Sequence, residues 1–267
     1  MNITLGKPVA LSDKGQRPNN EDYIYPLSEF ADAHQKLFIV CDGVGGSAKG
    51  EIASSLACES IQTYFATFLE EDPSPEFIQK AIRYTETRFD EYVINHPEAR
   101  GMATTMTLVY VGNAGITVAH VGDSRVYQVR NGQLIFQTDD HSLVNEWVKQ
   151  GVITSEEAIQ HPRKNIILRA INGTKQPVEA DVVLLTDIQP DDCLFMCTDG
   201  VTDCMPDITL SELFEENRKP ESIKNVIAEI CSVASHDNYS FYILPVQNIQ
   251  NPTNYRQIIS SFFFIFT

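Results

Sequence analysis

Apolar and polar positions repeat along the chain with two different periods, which predict helices and strands. Apolar residues recur with helical spacing over 51–69 and 75–94, and Pro73 separates the two segments. Short runs rich in β-branched and aromatic residues predict strands. The predicted strands lie within 3–13, 22–27, 36–41, 103–112, 115–121, 124–130, 133–137, 179–185, 192–198 and 239–246.

The order of these elements predicts the fold class. Residues 141–172 interrupt the strands with short helices, and helices at 209–217 and 220–234 precede the last strand. This order lacks the regular alternation of a parallel doubly wound sheet. Asn131-Gly132 predicts a tight antiparallel hairpin. We therefore expect a single α+β domain of mainly antiparallel sheets with helix pairs packed outside.

Composition and charge narrow the choice of partners. The chain has 267 residues, a net charge of -16 and a pI near 4.7, which argues against nucleic acid and anionic membranes because both are polyanions. We find neither a signal peptide nor an apolar stretch of the ~20 residues that a membrane helix needs. The six cysteines form no CxxC pair, so we expect buried reduced thiols in a cytoplasmic protein.

Three apolar runs end in an aspartate, namely Asp42, Asp123 and Asp199. Carboxylates that meet at the rim of a core repel one another unless a cation binds them, and oxygen ligands suit Mg²⁺ or Mn²⁺. Further acidic candidates are Glu21, Asp22, Asp203 and Asp237. The alternative for any single Asp-Gly is that it only starts a turn after a strand.

Six ordered motifs resemble those of the metal-dependent protein phosphatases, type 2C, in their bacterial form. The resemblance covers roughly residues 5–246. The motifs are Arg17 with Asn19-Asn20-Glu21-Asp22, Asp42-Gly43-Val44-Gly45-Gly46, Met102-Ala103-Thr104-Thr105, Gly122-Asp123-Ser124-Arg125, Thr198-Asp199-Gly200-Val201-Thr202-Asp203, and Asp237-Asn238.

The resemblance implies a four-layer α-β-β-α sandwich, in which helix pairs flank two mainly antiparallel sheets. The phosphatase domain would cover 1–246, with a helical flap at about 141–174 beside the active site. Residues 247–267 would form a C-terminal tail of unknown role.

The resemblance also implies a centre of two to three Mg²⁺ or Mn²⁺ ions. Asp42 would bridge two ions, with the Gly43 carbonyl on one of them. Asp199 and Asp237 would bind the second ion directly. A hydroxide shared by the two ions would then attack phosphorus in line.

Three other residues have supporting roles in this resemblance. Glu21 and Asp22 would hold metal-bound waters. Asp123, with Asp199 or Asp203, resembles a third and weaker metal site.

Arg17 matches the arginine that binds the substrate phosphate, where a guanidinium fork meets two phosphate oxygens. The positions at which family members carry histidine hold Val44 and Ser47 here, so the resemblance assigns no general acid. His120, inside a strand-like run, is expected to be a core or rim histidine.

The function that the resemblance implies is hydrolysis of phosphoserine and phosphothreonine on proteins. Phosphorylated proteins would be the partners, together with a cognate Ser/Thr kinase, and the protein would be a monomer. One alternative is a catalytically silent regulator that uses the fold to bind a kinase or signalling partner. Another is a phosphatase for a small metabolite, which no sequence feature separates from the first function.

Overall fold

The computed structural model describes residues 1–44, 49–68, 70–214 and 218–250. Gly45 and Gly46 of the second motif and the neighbouring Ser47 lie outside these ranges. So do the end of the predicted helix at 215–217 and the part of the predicted tail from 251 onward.

Eleven strands and seven α-helices make up the described part of the chain. The strands are β1 (Asn2–Leu5), β2 (Val9–Asp13), β3 (Asp22–Tyr25), β4 (Leu37–Asp42), β5 (Met106–Val111), β6 (Ile116–Val121), β7 (Arg125–Arg130), β8 (Gln133–Gln137), β9 (Asp181–Leu185), β10 (Cys193–Cys197) and β11 (Tyr239–Gln250). The helices are α1 (Gly50–Phe68), α2 (Pro75–Asn95), α3 (Leu143–Lys149), α4 (Ser155–Ile159), α5 (Asp199–Thr202), α6 (Asp207–Leu213) and α7 (Pro220–Ala234).

The strands form two antiparallel sheets. The first sheet has the order β3-β4-β5-β6-β9, and the second has the order β1-β11-β10-β7-β8. The long strand β11 also pairs with β2, so β1 and β2 lie end to end along one of its edges. The hairpin predicted at Asn131-Gly132 joins β7 to β8.

Three apolar clusters hold four layers together. One lies between the first sheet and the helix pair α1 and α2, with Phe89 and Ile39 fully buried in it. A second joins the inner faces of the two sheets, where Phe38 contacts Tyr242 edge to face. The third lies between the second sheet and the helices α6 and α7. The predicted four-layer α-β-β-α sandwich is confirmed.

The predicted helical insertion is also present. Its helices α3 and α4 are short, and α4 begins with a capping box formed by Thr154 and Glu157. Leu168 N–H donates to the His141 carbonyl at 2.7 Å, which joins the two ends of the insertion. Ile171 N–H donates to the Thr104 carbonyl at 2.9 Å, which attaches the insertion to the segment before β5.

The structure departs from the predicted elements most clearly at three places. The segment 3–13 is interrupted at 6–8, where Pro8 has no N–H to give to a ladder. The short helix α5 was not predicted because one helical turn shows no apolar period. The last strand continues past 246 to Gln250, because pairing with β1 satisfies its backbone although its side chains turn polar.

No helix among the described residues combines the length and the apolar character needed to cross a bilayer.

Candidate functional site

Carboxylates from both sheets meet at one edge of the sandwich. Asp22 begins β3 and pairs directly with Asp42, which ends β4. Asp123 follows β6 after a single glycine, and Asp199 begins α5 just after β10. Each of the four residues lies at or next to the end of a strand. For Asp42, Asp123 and Asp199 this is the position that the three apolar runs predicted.

Threonine side chains fix the position of Asp42 and Asp22. The Asp42 amide donates to Thr105 Oγ1 at 3.1 Å, and its carbonyl accepts from Thr104 Oγ1 at 2.8 Å. Thr198 Oγ1 donates to Asp22 Oδ2 at 3.0 Å. These hydrogen bonds therefore hold both residues in position without a bound ligand. The sequence marked these threonines only as members of motifs and indicated no role for them.

Two buried carboxylate oxygens have no hydrogen-bond partner among the described residues. These are Asp22 Oδ1 and Asp123 Oδ1, whose residues are 5% and 7% exposed. A buried charged oxygen without a partner is costly unless a proton or a cation satisfies it. The donor set is made of oxygen atoms, which fits Mg²⁺ or Mn²⁺.

The pKa values of the clustered carboxylates are all raised. Burial raises the pKa of Asp22 to about 8 and that of Asp199 to about 6, and neighbouring carboxylates add to both shifts. Burial, followed by the charges of Asp22, Asp199 and Asp123, holds the pKa of Asp42 well above its ordinary value. Burial and nearby carboxylates also raise the pKa of Asp123. The groups thus lie close enough to repel one another, which is the condition that a bound divalent cation relieves.

Gly43 lies where a side chain does not fit. A Cβ atom on Gly43 would overlap the backbone carbonyl of Gly50 at the start of α1. The Gly43 amide donates to the Glu21 carbonyl at 3.0 Å, and the Glu21 amide donates to Asn238 Oδ1 at 2.8 Å. These contacts tie the segment carrying Glu21 to the end of β4. The Asn238 side chain thus holds the backbone of Glu21 in place, a role that its motif did not indicate.

Arg17 lies at the rim of the cluster. Its Nη2 is 2.7 Å from Asp237 Oδ2, and its Nε donates to the His236 carbonyl at 3.0 Å. Both charged side chains are almost half exposed. A predicted phosphate ligand and a predicted metal ligand are therefore paired with each other in this structure.

Asp203 is exposed and faces the helical insertion. Its Oδ1 is 2.7 Å from Lys164 Nζ, an ion pair that no sequence pattern anticipated. A cavity of about 310 Å³ lies between Asp123, Asp199 and Asp203 on one side and residues 142–165 of the insertion on the other. The predicted flap thus forms one wall of a cavity that opens onto the carboxylates.

A second cluster of possible ligands lies under the insertion. Among the described residues, His120, His141 and Asp181 form the group of three whose ligand atoms lie within 4.8 Å of one another. Gly122 N–H donates to His141 Nδ1 at 3.1 Å, so the ring proton of neutral His141 lies on Nε2, 3.4 Å from Asp181 Oδ2. That nitrogen has no lone pair to give to a metal. The cluster joins the insertion to the first sheet and is not a metal site. His120, 4% exposed, is the core histidine that was expected.

Comparison with known proteins places these features in one family. The protein phosphatase 2C family matches residues 14–240. The serine/threonine phosphatase Stp of Listeria monocytogenes serotype 4b is 32% identical over 215 residues, which cover 79% of this chain and 84% of that protein. The serine/threonine protein phosphatase PstP of Mycobacterium tuberculosis is 31% identical over 242 residues, which cover 89% of this chain and 44% of that protein.

Solved structures lead to the same assignment. The serine/threonine phosphatase Stp1 of Staphylococcus aureus superimposes with a TM-score of 0.81 at 28% identity, covering 93% of this chain and 98% of that chain. The catalytic domain of PstP in complex with two manganese ions superimposes with a TM-score of 0.78 at 28% identity, covering 92% of this chain and all of that one. The order of the motifs, the four layers and these matches agree, and the chain belongs to the protein phosphatase 2C family.

Proposed function

We propose that this protein hydrolyses phosphoserine and phosphothreonine in other proteins and depends on divalent metal ions. The observation that carries the proposal is the meeting of Asp22, Asp42, Asp123 and Asp199 at one edge, with two buried oxygens unsatisfied among the described residues. The relatives named serine/threonine phosphatases support the same activity.

The metal ligands are proposed residue by residue. Asp42, the Gly43 carbonyl, Asp199 and Asp237 hold two ions. Asp123, with Asp199 or Asp203, holds a third, and Glu21 and Asp22 bind through water. The two manganese ions in the PstP structure support a count of at least two and the choice of Mn²⁺, with Mg²⁺ as the other candidate.

The chain's own residues bind and orient the substrate in this proposal. Arg17 binds the phosphate through its guanidinium fork, and its exposure at the rim leaves it accessible to a protein substrate. Ions held by the carboxylates would activate a water molecule and neutralise charge on the phosphoryl oxygens. No Ser, Cys or His nucleophile is required. Thr104, Thr105 and Thr198 hold the carboxylates in place during the reaction.

A catalytically silent regulator is the second candidate from the sequence. The buried carboxylates argue against it, because they raise one another's pKa and give nothing to stability without a ligand. Asp199→Ala separates the two functions in cells. If the variant acts like the wild type there, hydrolysis is not the function.

We also propose a single phosphatase domain, a cytoplasmic location and a monomeric state. The domain was expected to cover 1–246, but its last strand β11 continues to Gln250. The six cysteines are free thiols, which supports the proposed cytoplasmic location because thiols stay reduced there. The proposed partners are phosphorylated proteins and a cognate Ser/Thr kinase. No role is assigned to the tail at 247–267.

The test is release of phosphate from a phosphothreonine peptide in parallel samples with EDTA, Mg²⁺ or Mn²⁺. We expect activity with a divalent ion and none with EDTA. Sugar phosphates in the same assay test the metabolite alternative, and we expect them to react far more slowly. A folded protein that is inactive with every metal would contradict the proposal.

A further inference from the structure

The sulfur atoms of Cys204 and Cys231 are in contact. Their Sγ atoms lie 3.4 Å apart, although 27 positions separate them in the chain. Cys204 follows α5 and is partly exposed, whereas Cys231 lies in α7 and is fully buried. The expectation that all six thiols are buried was wrong for Cys204 and Cys193. An oxidant in solution therefore has access to one member of the contacting pair.

Both sulfurs are attached to segments that carry proposed metal ligands. Cys204 Sγ donates to the carbonyls of Gly200 at 3.4 Å and Val201 at 3.3 Å, which fixes it against the helical turn that Asp199 begins. Cys204 also directly follows Asp203. On the other side, the Cys231 carbonyl accepts from Ser235 N–H at 2.9 Å.

The connection continues from Ser235 to the site. Ser235 Oγ donates to the Asp237 carbonyl at 3.3 Å. The segments of α5 and α7 are thus joined at Cys204 and Cys231, a short stretch of chain away from their ligands. These contacts form a path from the two sulfurs to the segments that carry Asp199 and Asp237.

We propose that Cys204 and Cys231 form a reversible oxidation site, at which hydrogen peroxide makes a disulfide that lowers the phosphatase activity. The effect on activity rests on the proposed function, whereas formation of the disulfide does not.

The reaction balances with hydrogen peroxide as the oxidant. The Cys204 sulfur attacks one peroxide oxygen, the O–O bond breaks, and Cys204 sulfenic acid and water form. The Cys231 sulfur then attacks the sulfenic sulfur, the S–O bond breaks, and a second water leaves with the thiol proton. In total, two thiols and one peroxide give one disulfide and two waters. A dithiol reductant reverses the change by thiol exchange.

The geometry explains why a disulfide disturbs the site. An S–S bond is about 2.05 Å long, so the two sulfurs must approach by roughly 1.3 Å. The disulfide also lacks the thiol proton that Cys204 Sγ donates to the Gly200 and Val201 carbonyls. Loss of these contacts loosens the turn that Asp199 begins relative to the segment that carries Asp237. Displacements of about 1 Å at a catalytic centre can cost on the order of 100-fold in rate.

The chain offers a matched control pair. Cys41 and Cys58 are both fully buried in the core between α1 and the first sheet, where burial and then the Cys41 thiol raise the pKa of Cys58. Cys41 directly precedes Asp42. If burial decides access, peroxide reaches Cys204 and leaves this second pair reduced.

The experiment oxidises the full chain with hydrogen peroxide in EDTA, removes the peroxide with catalase, and divides the sample. One half is digested with trypsin without reduction. We expect a linked pair of peptides 176–218 and 225–256, since the second contains Cys231 as its sole cysteine. The other half is assayed with Mn²⁺, and we expect at least about a tenfold loss that dithiothreitol restores.

Three variants test whether the loss of activity comes from the disulfide between Cys204 and Cys231. C204S and C231S should be active when reduced, form no linked pair and keep their activity after peroxide. C58S should respond as the wild type does. If C231S fails to fold, C204S carries the test, because residue 204 is partly exposed and tolerates the change more easily than the fully buried residue 231.

Two results would overturn the proposal: absence of the linked peptides, or an equal loss of activity in C204S. Failure of the proposed function is different, since the reduced wild type would then release no phosphate with any metal.

Discussion

Asp22 shows at the level of one residue why the site is built for a cation. Its carboxylate is 5% exposed, one oxygen accepts from Thr198, and the other has no partner among the described residues. Burial, with the charges of Asp199 and Asp237, raises its pKa to about 8. Such a group weakens the metal-free protein and serves only when a positive charge faces it.

Asp22→Asn should stabilise the metal-free protein at pH 8. The folded pKa lies above the unfolded value of 3.8, so the wild type loses stability as the pH rises from about 4 to 8. Asparagine keeps the acceptor for Thr198 without the charge, and we expect a gain of about 2 kcal/mol at pH 8 and little at pH 4. Urea unfolding in EDTA at both pH values measures it.

The surface substitution Glu229→Gln is the control for the Asp22 experiment. It should change the unfolding free energy little at either pH. An Asp22→Asn variant less stable than the wild type at pH 8 would contradict the expectation.

Arg17 is the residue on which phosphate binding depends in our proposal. Arg17→Ala should raise KM for a phosphopeptide by about tenfold or more, because a charged hydrogen-bond pair contributes on the order of 1.5–3 kcal/mol. Arg17→Lys keeps the charge but loses the guanidinium fork, so its KM should lie between those of the wild type and Arg17→Ala. Steady-state kinetics at saturating Mn²⁺ measure both variants. Unchanged kinetics in Arg17→Ala would remove this residue from the site.

At the scale of elements, the helical insertion is attached to the sheet through His141. The His141 ring stacks on His120 with centroids 4.4 Å apart, accepts from Gly122 and lies beside Asp181. Gly122 immediately precedes Asp123. The insertion is thus bonded to the residue next to Asp123, the proposed third-metal ligand. A movement of the insertion should therefore shift Asp123.

His141 should make the protein sensitive to acid. Burial, followed by the charges of His120 and Arg169, lowers its pKa from 6.5 to about 4. A base with a lowered folded pKa contributes stability above its unfolded pKa, and this is lost as the pH falls from about 6.5 to 4. Protonation of Nδ1 also breaks the bond from Gly122.

The variant His141→Asn keeps an acceptor that does not titrate in this range. We expect it to be about 1–2 kcal/mol less stable than the wild type at pH 7, because stacking is lost. Its stability should then fall less between pH 6.5 and 4. Thermal unfolding across this range measures the effect, and parallel curves for the two proteins would exclude His141 as the cause.

At the scale of the whole molecule, we expect metal binding and folding to be coupled. Asp22 and Asp42 come from the first sheet, and Asp199 follows a strand of the second. In our proposal, ions held by Asp42 and Asp199, with Asp22 bound through water, would join the two sheets. They would bind the folded chain alone, because the ligands are far apart in the unfolded one.

Mn²⁺ should therefore raise the unfolding free energy, by about 2.7 kcal/mol at a concentration of 100 Kd. Asp42→Asn should abolish most of this gain while the variant remains folded in EDTA, since the residue ends a strand at the rim. Calorimetry with and without Mn²⁺ tests both statements. An equal shift of Tm in the variant would place the ion elsewhere.

The candidate site residues were predicted one by one, but their contacts were not. Asp42, Asp123 and Asp199 follow apolar runs, and a strand end places its next residue at a sheet edge. The pairing of Arg17 with Asp237 and that of Lys164 with Asp203 join residues far apart in the chain. No local pattern encodes such a pair.

The sequence alone determined the local elements and the order of the motifs, because period and turn residues act over a few positions. It also determined which residues are candidates for the chemistry. Only the tertiary structure decided the distances between them, the burial that raises the pKa values, and the contact between Cys204 and Cys231. These depend on how two sheets and their helices pack, and packing is a property of the whole chain.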